Sequence, residues 1–439
     1  MKKALNTLIA ALVLLAVFST AIADIAGSSV DRTAQAEPLA LDRVVILSRH
    51  NIRSPLSGSG SLLGDITPHE WFQWTSKPSE LSLRGGVLET MMGQYFRLWL
   101  EDEGLFPENY QPEEGAIRFY ANAKQRTLAT ARYFAAGLLP VSETPIESHA
   151  VYDTMDPVFE PSLNFVTEEY ARDALAQIAG ENGLDSILAS LNDAISLLIN
   201  TADIERSESY RAGKYGDLLT GETVITLTAG KEPGMTSPIK TATSVADAMI
   251  LQYYEESDET KAAFGHDLTL EDWQLIHSIV DTYTDMLFCS PLVSVNVAHP
   301  LLMEIRSELT ADGRKFSFLC GHDSNVASVL AALGAEDYLL PETVEQRTPI
   351  GVKLVFERWI TEDGEAFYRI NLVYQSTQQL RAMEQLTLEN PPVIYPLRFD
   401  GMDADGMIAE EDLLSLFDGA IDAYDALLEE YAEAGDDAA

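Results

Sequence analysis

The chain of 439 residues has few cysteines and few positive charges. Its two cysteines, Cys289 and Cys320, can form at most one disulfide, so no disulfide framework holds the fold together. Cys320 lies in an apolar run, and two free, buried thiols are the alternative to a pair. Lysine and arginine number 29 against 69 aspartates and glutamates, and the net charge is −40. Because such a surface repels nucleic acids and anionic membranes, we expect neither as a partner.

Beyond its first 23 residues the sequence has no apolar run long enough to span a bilayer. Those 23 residues have a positive start at Lys2 and Lys3, an apolar stretch over residues 8–18 and small residues at 21–23, which is typical of a secretory signal peptide. An uncleaved anchor is the alternative. Residues 24–40 are expected to form a flexible mature N-terminus. The protein is therefore predicted to be periplasmic or secreted, with no stable membrane association and an unknown oligomeric state.

The usual signatures of metal and nucleotide sites are also missing. No histidine pair has the H-E-x-x-H spacing of a zinc site, and residues 401–412 differ from a calcium loop at its first and last positions. Residues 57–61 alternate serine and glycine but lack the lysine of a phosphate-binding loop, and we interpret them as a flexible loop. No internal repeat occurs. We therefore expect no metal and no cofactor.

The apolar periodicity predicts an α/β fold. Strands are expected at 41–48, 117–120 and 315–320, and a hairpin around Asp363 and Gly364 joins predicted strands at 351–359 and 367–374. Helices are expected at 86–100, 127–136 and 326–333, and again near the C-terminus. Residues 141–290 are mostly helical in pattern. The prediction is an α/β catalytic core of residues 41–140 and 291–439, with a mostly parallel sheet, interrupted by an inserted helical domain at 141–290.

One short motif carries the strongest chemical signal. Arg49, His50 and Arg53 follow the apolar residues 44–47, where a buried strand would end. Guanidinium groups bind phosphoryl oxygens through forked donors. A neutral imidazole, with an unperturbed pKa of about 6.5, is nucleophilic near neutral pH. The motif therefore predicts a phosphoryl site at which His50 attacks phosphorus; an ordinary surface segment is the alternative.

A second motif, Gly321-His322-Asp323, also follows an apolar strand and begins a helix. Since ligands of open α/β sheets bind beyond the carboxyl ends of the strands, the two motifs are expected to meet. Asp323 is then the candidate proton donor, which requires an acidic working range or a raised pKa, and His322 a further phosphate ligand. Arg126 is a third candidate cation at a predicted helix start. The same tripeptide at residues 265–267 follows no strand, and we interpret it as a surface turn.

Together these residues resemble the histidine acid phosphatases. The pattern Arg49-His50-x-x-Arg53-x-Pro55 and the pair His322-Asp323 carry the resemblance, which extends from about residue 41 to about residue 432 through the stretches 83–86, 125–131, 251–255, 347–351 and 354–359. The resemblance implies a core like that of the phosphoglycerate mutases with an inserted helical domain. It also implies a phosphohistidine on His50, phosphate binding by Arg49, Arg53, Arg126 and His322, and protonation of the leaving group by Asp323.

Within that family the sequence is most similar to the bacterial glucose-1-phosphatase branch, which is related to the bacterial phytases. Asn51 stands where most members have glycine, as it does in that branch. Glu255 matches a sugar-contacting position of the branch, although an ordinary helix-end glutamate is equally compatible. The expected substrate is a sugar phosphate such as glucose 1-phosphate, and phytate or a broad range of phosphate esters is the alternative. A phosphoglycerate mutase or a periplasmic phosphosugar-binding protein are rivals from other classes.

Overall fold

The computed structural model describes residues 39–56 and 62–433. The predicted signal peptide, most of the predicted flexible N-terminus and the serine-glycine loop at 57–61 lie outside these residues.

A mixed β-sheet forms the centre of the α/β fold. Its strands are β1 (Ala40–Arg49), β2 (Ile117–Ala121), β5 (Phe316–Gly321), β6 (Lys353–Ile360), β7 (Ala366–Tyr374), β8 (Val393–Pro396) and β9 (Ile408–Ala409). The strand order is β2-β5-β1-β6-β7-β8, and β9 pairs with β7. Strands β2, β5 and β1 are parallel to one another, and the pairs from β1–β6 outward are antiparallel. The α/β class is confirmed, as is the predicted hairpin, formed by β6 and β7.

Helices cover both faces of the sheet. Those of the first and last parts of the chain are α1 (Leu62–Asp65), α2 (Leu83–Asp102), α3 (Gln125–Leu138), α11 (Pro291–Thr310), α12 (Asp323–Ala332), α13 (Thr377–Ala382) and α14 (Glu410–Glu433). Between α3 and α11 lie α4 (Glu168–Ala179), α5 (Leu184–Ser190), α6 (Asn192–Thr201), α7 (Glu208–Arg211), α8 (Pro238–Glu255), α9 (Glu259–Ala262) and α10 (Leu270–Phe288), a 3-10 turn (Ile204–Arg206) and a small antiparallel pair, β3 (Val224–Thr226) and β4 (Gly234–Thr236).

Successive side chains of β1 point to opposite faces of the sheet and pack against different layers of helices. Val44 and Ile46 pack into a cluster with residues of α2 and α3, whereas Val45 and Leu47 pack into one with residues of α11, α12 and α14. Both faces are covered, and for that reason β1 is apolar almost throughout instead of alternating with polar residues. A third cluster fills the helical part between α3 and α11 and extends to Ile52, next to the first motif.

Close backbone contact fixes α2 against the first motif. Ser82 caps this helix by accepting a hydrogen bond from the backbone N–H of Gly85, with an N···O distance of 3.0 Å. A Cβ atom on Gly85 would lie 2.3 Å from the carbonyl oxygen of Ile52, so only glycine allows this approach. The start of α2 therefore supports the loop that follows β1.

Cys289 and Cys320 are both free, so the alternative of two unpaired thiols holds. Among the described residues no single helix is long and apolar enough to cross a membrane; α10 and α11 reach that length and composition only as a pair, and they are bent by 83° at their junction.

Candidate active site

The site lies where the three parallel strands end at one edge of the sheet. In the strand register Arg49 pairs with Gly321, and Ala121 pairs with Cys320. The backbone continues this pairing beyond the strands, because the N–H of His50 donates to the carbonyl of Gly321 at 3.1 Å and that of Asn122 donates to Cys320 at 2.9 Å. Parallel strands thus bring together side chains that are about 200 or more residues apart in the chain.

His50 is buried, and its tautomer follows from one hydrogen bond. The Nδ1 atom lies 2.9 Å from the carbonyl oxygen of Asn51. A carbonyl oxygen can only accept, so Nδ1 carries the proton and Nε2 keeps its lone pair. Burial lowers the pKa of His50 well below 6.5, and the positive charge of Arg126 is the next cause. The imidazole therefore stays neutral in mildly acidic solution, with Nε2 free to attack an electrophile.

Three guanidinium groups surround the imidazole. Arg49 donates to the carbonyl of Thr348, and its Nη2 lies 3.3 Å from a carboxylate oxygen of Asp323. Arg53 binds both carboxylate oxygens of Asp247, at 3.1 and 3.2 Å. Within the described part of the chain, the buried Nε atoms of Arg49, Arg53 and Arg126 have no hydrogen-bond partner. Buried donors without partners are rare, and three at one place make a strong site for an anion.

His322 faces His50 across the site, with ring centroids 5.5 Å apart. Its Nε2 lies 2.7 Å from the amide nitrogen of Asn122, and its Nδ1 lies 3.4 Å from Nη2 of Arg126. Burial, followed by the charge of Arg126, lowers the pKa of His322 well below 6.5. The ring is therefore neutral in the free site and can still donate one hydrogen bond.

The carboxyl group of Asp323 lies 3.3 Å from Arg49, and its side chain is 33% exposed. Burial raises the pKa of Asp323, but the charge of Arg49 and further positive groups outweigh this effect and lower it to about 2. Of the two conditions expected for a proton donor, a raised pKa is thus not met in the free site. The carboxylate is ionised there and holds Arg49 in place.

A buried network behind His50 was not expected from the sequence. Lys353 and Glu89 are both fully buried and form an ion pair, with Nζ and Oε1 2.8 Å apart. The second carboxylate oxygen of Glu89 accepts a hydrogen bond from the side-chain amide of Asn51 at 2.8 Å. Asn51 is thereby fixed, and so is its carbonyl group, which accepts the proton of His50 Nδ1. The side chain of Asn51 points into the core, so it influences the substrate only through the backbone.

Ser82 and Ile52 lie between Glu255 and the clustered residues, which are Arg49, His50, Arg53, Arg126, His322 and Asp323. Its carboxylate accepts a hydrogen bond from the hydroxyl of Ser82 at 3.0 Å, and the backbone N–H of Ser82 donates to Ile52. Burial raises the pKa of Glu255. None of the hydrogen bonds or ion pairs found among the described residues joins Glu255 directly to the cluster, and its contact with a sugar stays a prediction.

Glu232, which sequence reasoning missed, is a further carboxylate near the site. It belongs to the turn that connects β3 and β4. Loss of hydration raises the pKa of Glu232, and the negative charges of Glu160 and Asp323 add to this effect, whereas Arg126 opposes it. The carboxylate therefore lies within the electrostatic field of the cluster. No motif marks this position, since only the folded hairpin brings it there.

The tripeptide at residues 265–267 lies on the surface, as predicted. All three residues are exposed, and they follow the short helix α9. Throughout the described residues no group of three or more histidine, cysteine or acidic side chains could hold a metal ion. The site combines a nucleophilic nitrogen, three cations, a neutral donor and a carboxyl group, which is a set suited to transfer of a phosphoryl group.

Comparison with known proteins agrees with this chemistry. Residues 40–375 match the model of the histidine phosphatase superfamily (branch 2). The chain is 37% identical to the glucose-1-phosphatase of Salmonella typhimurium over 387 residues, covering 86% of this chain and 92% of that protein. It is 28% identical to the phytase AppA of Escherichia coli over 392 residues, covering 84% and 89%. The apo form of the Hafnia alvei phytase superposes with a TM-score of 0.80 at 26% identity, covering 89% of this chain and 98% of that one.

Proposed function

Because the chain belongs to branch 2 of the histidine phosphatase superfamily, we propose that the cluster around His50 hydrolyses sugar phosphates of the glucose 1-phosphate type. The chain is a phosphomonoesterase of the histidine acid phosphatase type, and its substrates are small phosphate esters. The observation that carries the proposal is the hydrogen bond from His50 Nδ1 to the Asn51 carbonyl, which leaves a nucleophilic Nε2 among three guanidiniums.

In the first step, the lone pair of His50 Nε2 forms a bond to phosphorus as the bond between phosphorus and the ester oxygen breaks. Arg49, Arg53 and Arg126 bind the nonbridging oxygens and stabilise the charge that they carry in the transition state. The alkoxide that leaves receives a proton from Asp323. The product of this step is a phosphohistidine on His50, with Asp323 as its carboxylate.

In the second step, water attacks the phosphohistidine. The carboxylate of Asp323 takes a proton from the water as oxygen binds phosphorus and the bond to Nε2 breaks. Inorganic phosphate leaves and takes the proton from Asp323, so His50 regains its Nε2 lone pair and Asp323 returns to the carboxylate of the free site. A single carboxyl group thus acts as acid and then as base.

The low pKa of Asp323 indicates where its proton comes from. A phosphate monoester has a second pKa of about 6, so its monoanion carries a proton into the site in acidic solution. The bound phosphoryl group also competes for Arg49 and adds negative charge beside Asp323, and both changes raise the pKa of this carboxyl group. We therefore infer that substrate binding converts Asp323 from a carboxylate into an acid, and that the enzyme works at acidic pH.

The preference for a sugar phosphate over phytate has two supports. Two glucose-1-phosphatases, from Salmonella typhimurium and Providencia rettgeri, are 37% and 35% identical to this chain, against 28% for the phytase of Escherichia coli. In addition, Glu232 places a carboxyl group near the cluster. A densely phosphorylated inositol is repelled by such carboxylates, whereas sugar hydroxyls donate hydrogen bonds to them.

Phytate remains the second candidate substrate. The Hafnia alvei phytase, at 26% identity and a TM-score of 0.80, has also been solved with myo-inositol hexakis sulphate.

The N-terminal sequence supports a further proposal, that the protein is exported to the periplasm or secreted.

The test is a hydrolysis panel of glucose 1-phosphate, phytate and an aryl phosphate at pH 5, with the variants His50→Ala and Asp323→Asn. We expect glucose 1-phosphate to give the highest kcat/KM and His50→Ala to be inactive on all three esters. Asp323→Asn should bind phosphate and lose hydrolysis of alkyl esters most strongly, because an aryl oxide leaves without much help from an acid. Activity of His50→Ala would refute the mechanism, and a preference for phytate would refute the substrate.

A further inference from the structure

Asn122, the residue after β2, lies against His322 in an orientation that the backbone fixes. Its side chain is fully buried, and its Oδ1 accepts a hydrogen bond from the backbone N–H of Asp156 at 2.9 Å. Asp156 is itself held, because its carboxylate accepts hydrogen bonds from Tyr120 Oη at 2.8 Å and from the backbone N–H of His149 at 2.7 Å. The amide nitrogen of Asn122 must therefore point the other way, toward His322 Nε2 at 2.7 Å.

This orientation determines the tautomer of His322. An amide nitrogen only donates, so Nε2 of His322 must accept and cannot carry a proton. The neutral ring then has its proton on Nδ1. Nη2 of Arg126 lies 3.4 Å from Nδ1, and because it is also a donor it cannot receive that proton. The Nδ1–H group is thus directed to the side of the ring where Arg126 and the anion site lie.

We propose that Asn122 is a positioning residue that holds His322 as the neutral Nδ1–H tautomer, so that Nδ1–H donates to the phosphoryl group. The proposal rests on the proposed function for its substrate, but the tautomer is a property of the free protein. His50 and His322 are then held in complementary states. His50 presents a lone pair to phosphorus, and His322 presents a proton to a phosphoryl oxygen.

The direct test is the ¹⁵N NMR spectrum of the histidine rings of the wild-type protein. We expect the Nδ1 resonance of His322 in the protonated range and the Nε2 resonance in the unprotonated range, with assignment by the variant His322→Gln. Inorganic phosphate should move the Nδ1 resonance, because a phosphate oxygen accepts that proton. A protonated Nε2 in the free wild-type protein would overturn the proposal, whether or not the protein hydrolyses any ester.

Two substitutions at the same position separate positioning from folding. Asn122→Asp replaces the donor by an acceptor, so Nε2 of His322 should become protonated. The nearby charges of Arg49, Arg53 and Arg126 oppose this protonation, whereas the charge of Asp323 favours it. Asn122→Leu removes the donor at similar volume. It should weaken phosphate binding and lower kcat/KM by about 10- to 100-fold, the usual effect of losing an ordered hydrogen bond to a charged group.

Asn296→Asp is the matched control for a buried asparagine. Asn296 is also fully buried, accepts a hydrogen bond from a backbone N–H, that of Asn164, at 2.7 Å, and donates its amide to the carbonyl of Phe165 at 3.0 Å. This control should leave the His322 resonances and kcat/KM unchanged at a comparable loss of thermal stability. An Nε2 that stays unprotonated in Asn122→Asp, or an unchanged kcat/KM in a folded Asn122→Leu, would refute the role of Asn122.

Discussion

Removing the ion pair between Glu89 and Lys353 should change the free energy of unfolding and kcat to different extents. Both side chains are fully buried, and Lys353 Nζ also donates to the carbonyl of Gly351 at 2.7 Å. Its ammonium group lies 5.8 and 5.7 Å from the ring centroids of Phe134 and Phe318. Because both charges are buried away from solvent, each depends on the other for its compensation.

The structure allows the size of the effect to be estimated. Glu89→Gln or Lys353→Met alone leaves one buried charge without its partner, and such a change typically lowers the free energy of unfolding by about 3–5 kcal/mol. The double variant Glu89→Gln/Lys353→Met removes both charges and should recover most of this loss. The deviation from additivity should then be at least about 4 kcal/mol, above the usual range of about 0.5–3 kcal/mol for residues in contact.

The value of kcat should depend on the hydrogen bond to Asn51 and not on the two buried charges. The amide oxygen of glutamine can still accept the hydrogen bond from Asn51, so the Gln/Met double variant should keep kcat within a few-fold of the wild type. Glu89→Leu/Lys353→Met has no such acceptor. The carbonyl that holds His50 Nδ1 is then less firmly fixed, and kcat should fall by about 3- to 10-fold more, which corresponds to one neutral hydrogen bond.

Urea unfolding of the four variants, with kcat for an aryl phosphate, measures both effects. A thermodynamic cycle in which the two single substitutions each cost less than about 1 kcal/mol and add would show that the pair is not compensated as described. Equal kcat values for the Gln/Met and Leu/Met variants would show that the amide of Asn51 does not support His50.

Three further predictions concern the site itself. The value of kcat/KM should stay high well below pH 6.5, because burial and Arg126 keep the pKa of His50 low. It should decline above about pH 6 as the substrate loses its second proton. A loss of activity on the acidic side that is centred at pH 6.5 would contradict this. Arg126→Met should move the acidic limb to higher pH and raise the inhibition constant of inorganic phosphate by about 10- to 100-fold, whereas Arg126→Lys should retain most of the pKa effect. Glu232→Gln should raise kcat/KM for phytate relative to glucose 1-phosphate by about 3- to 10-fold, and an unchanged ratio would remove Glu232 from substrate selection.

Much of the fold was predictable from local patterns. The strands that carry the site follow apolar runs, and the predicted hairpin at β6 and β7 is where alternation and the Asp363-Gly364 turn placed it. The structure brings His50, Arg49, Arg53, Arg126, His322 and Asp323 together. Most of these positions could be found because they stand at or next to the end of a strand or the start of a helix, where the chain itself directs side chains toward a common edge.

The sequence alone determined which chemical groups meet, since strand ends and helix starts are encoded by neighbouring residues. The tertiary structure decided their states. The proton positions on His50 and His322 depend on Asn51 and Asn122, and the sign of the Asp323 pKa shift depends on Arg49, a partner 274 residues away in the chain. Burial, electric field and hydrogen-bond direction are sums over contacts between distant segments, and for that reason no local pattern of residues contains them.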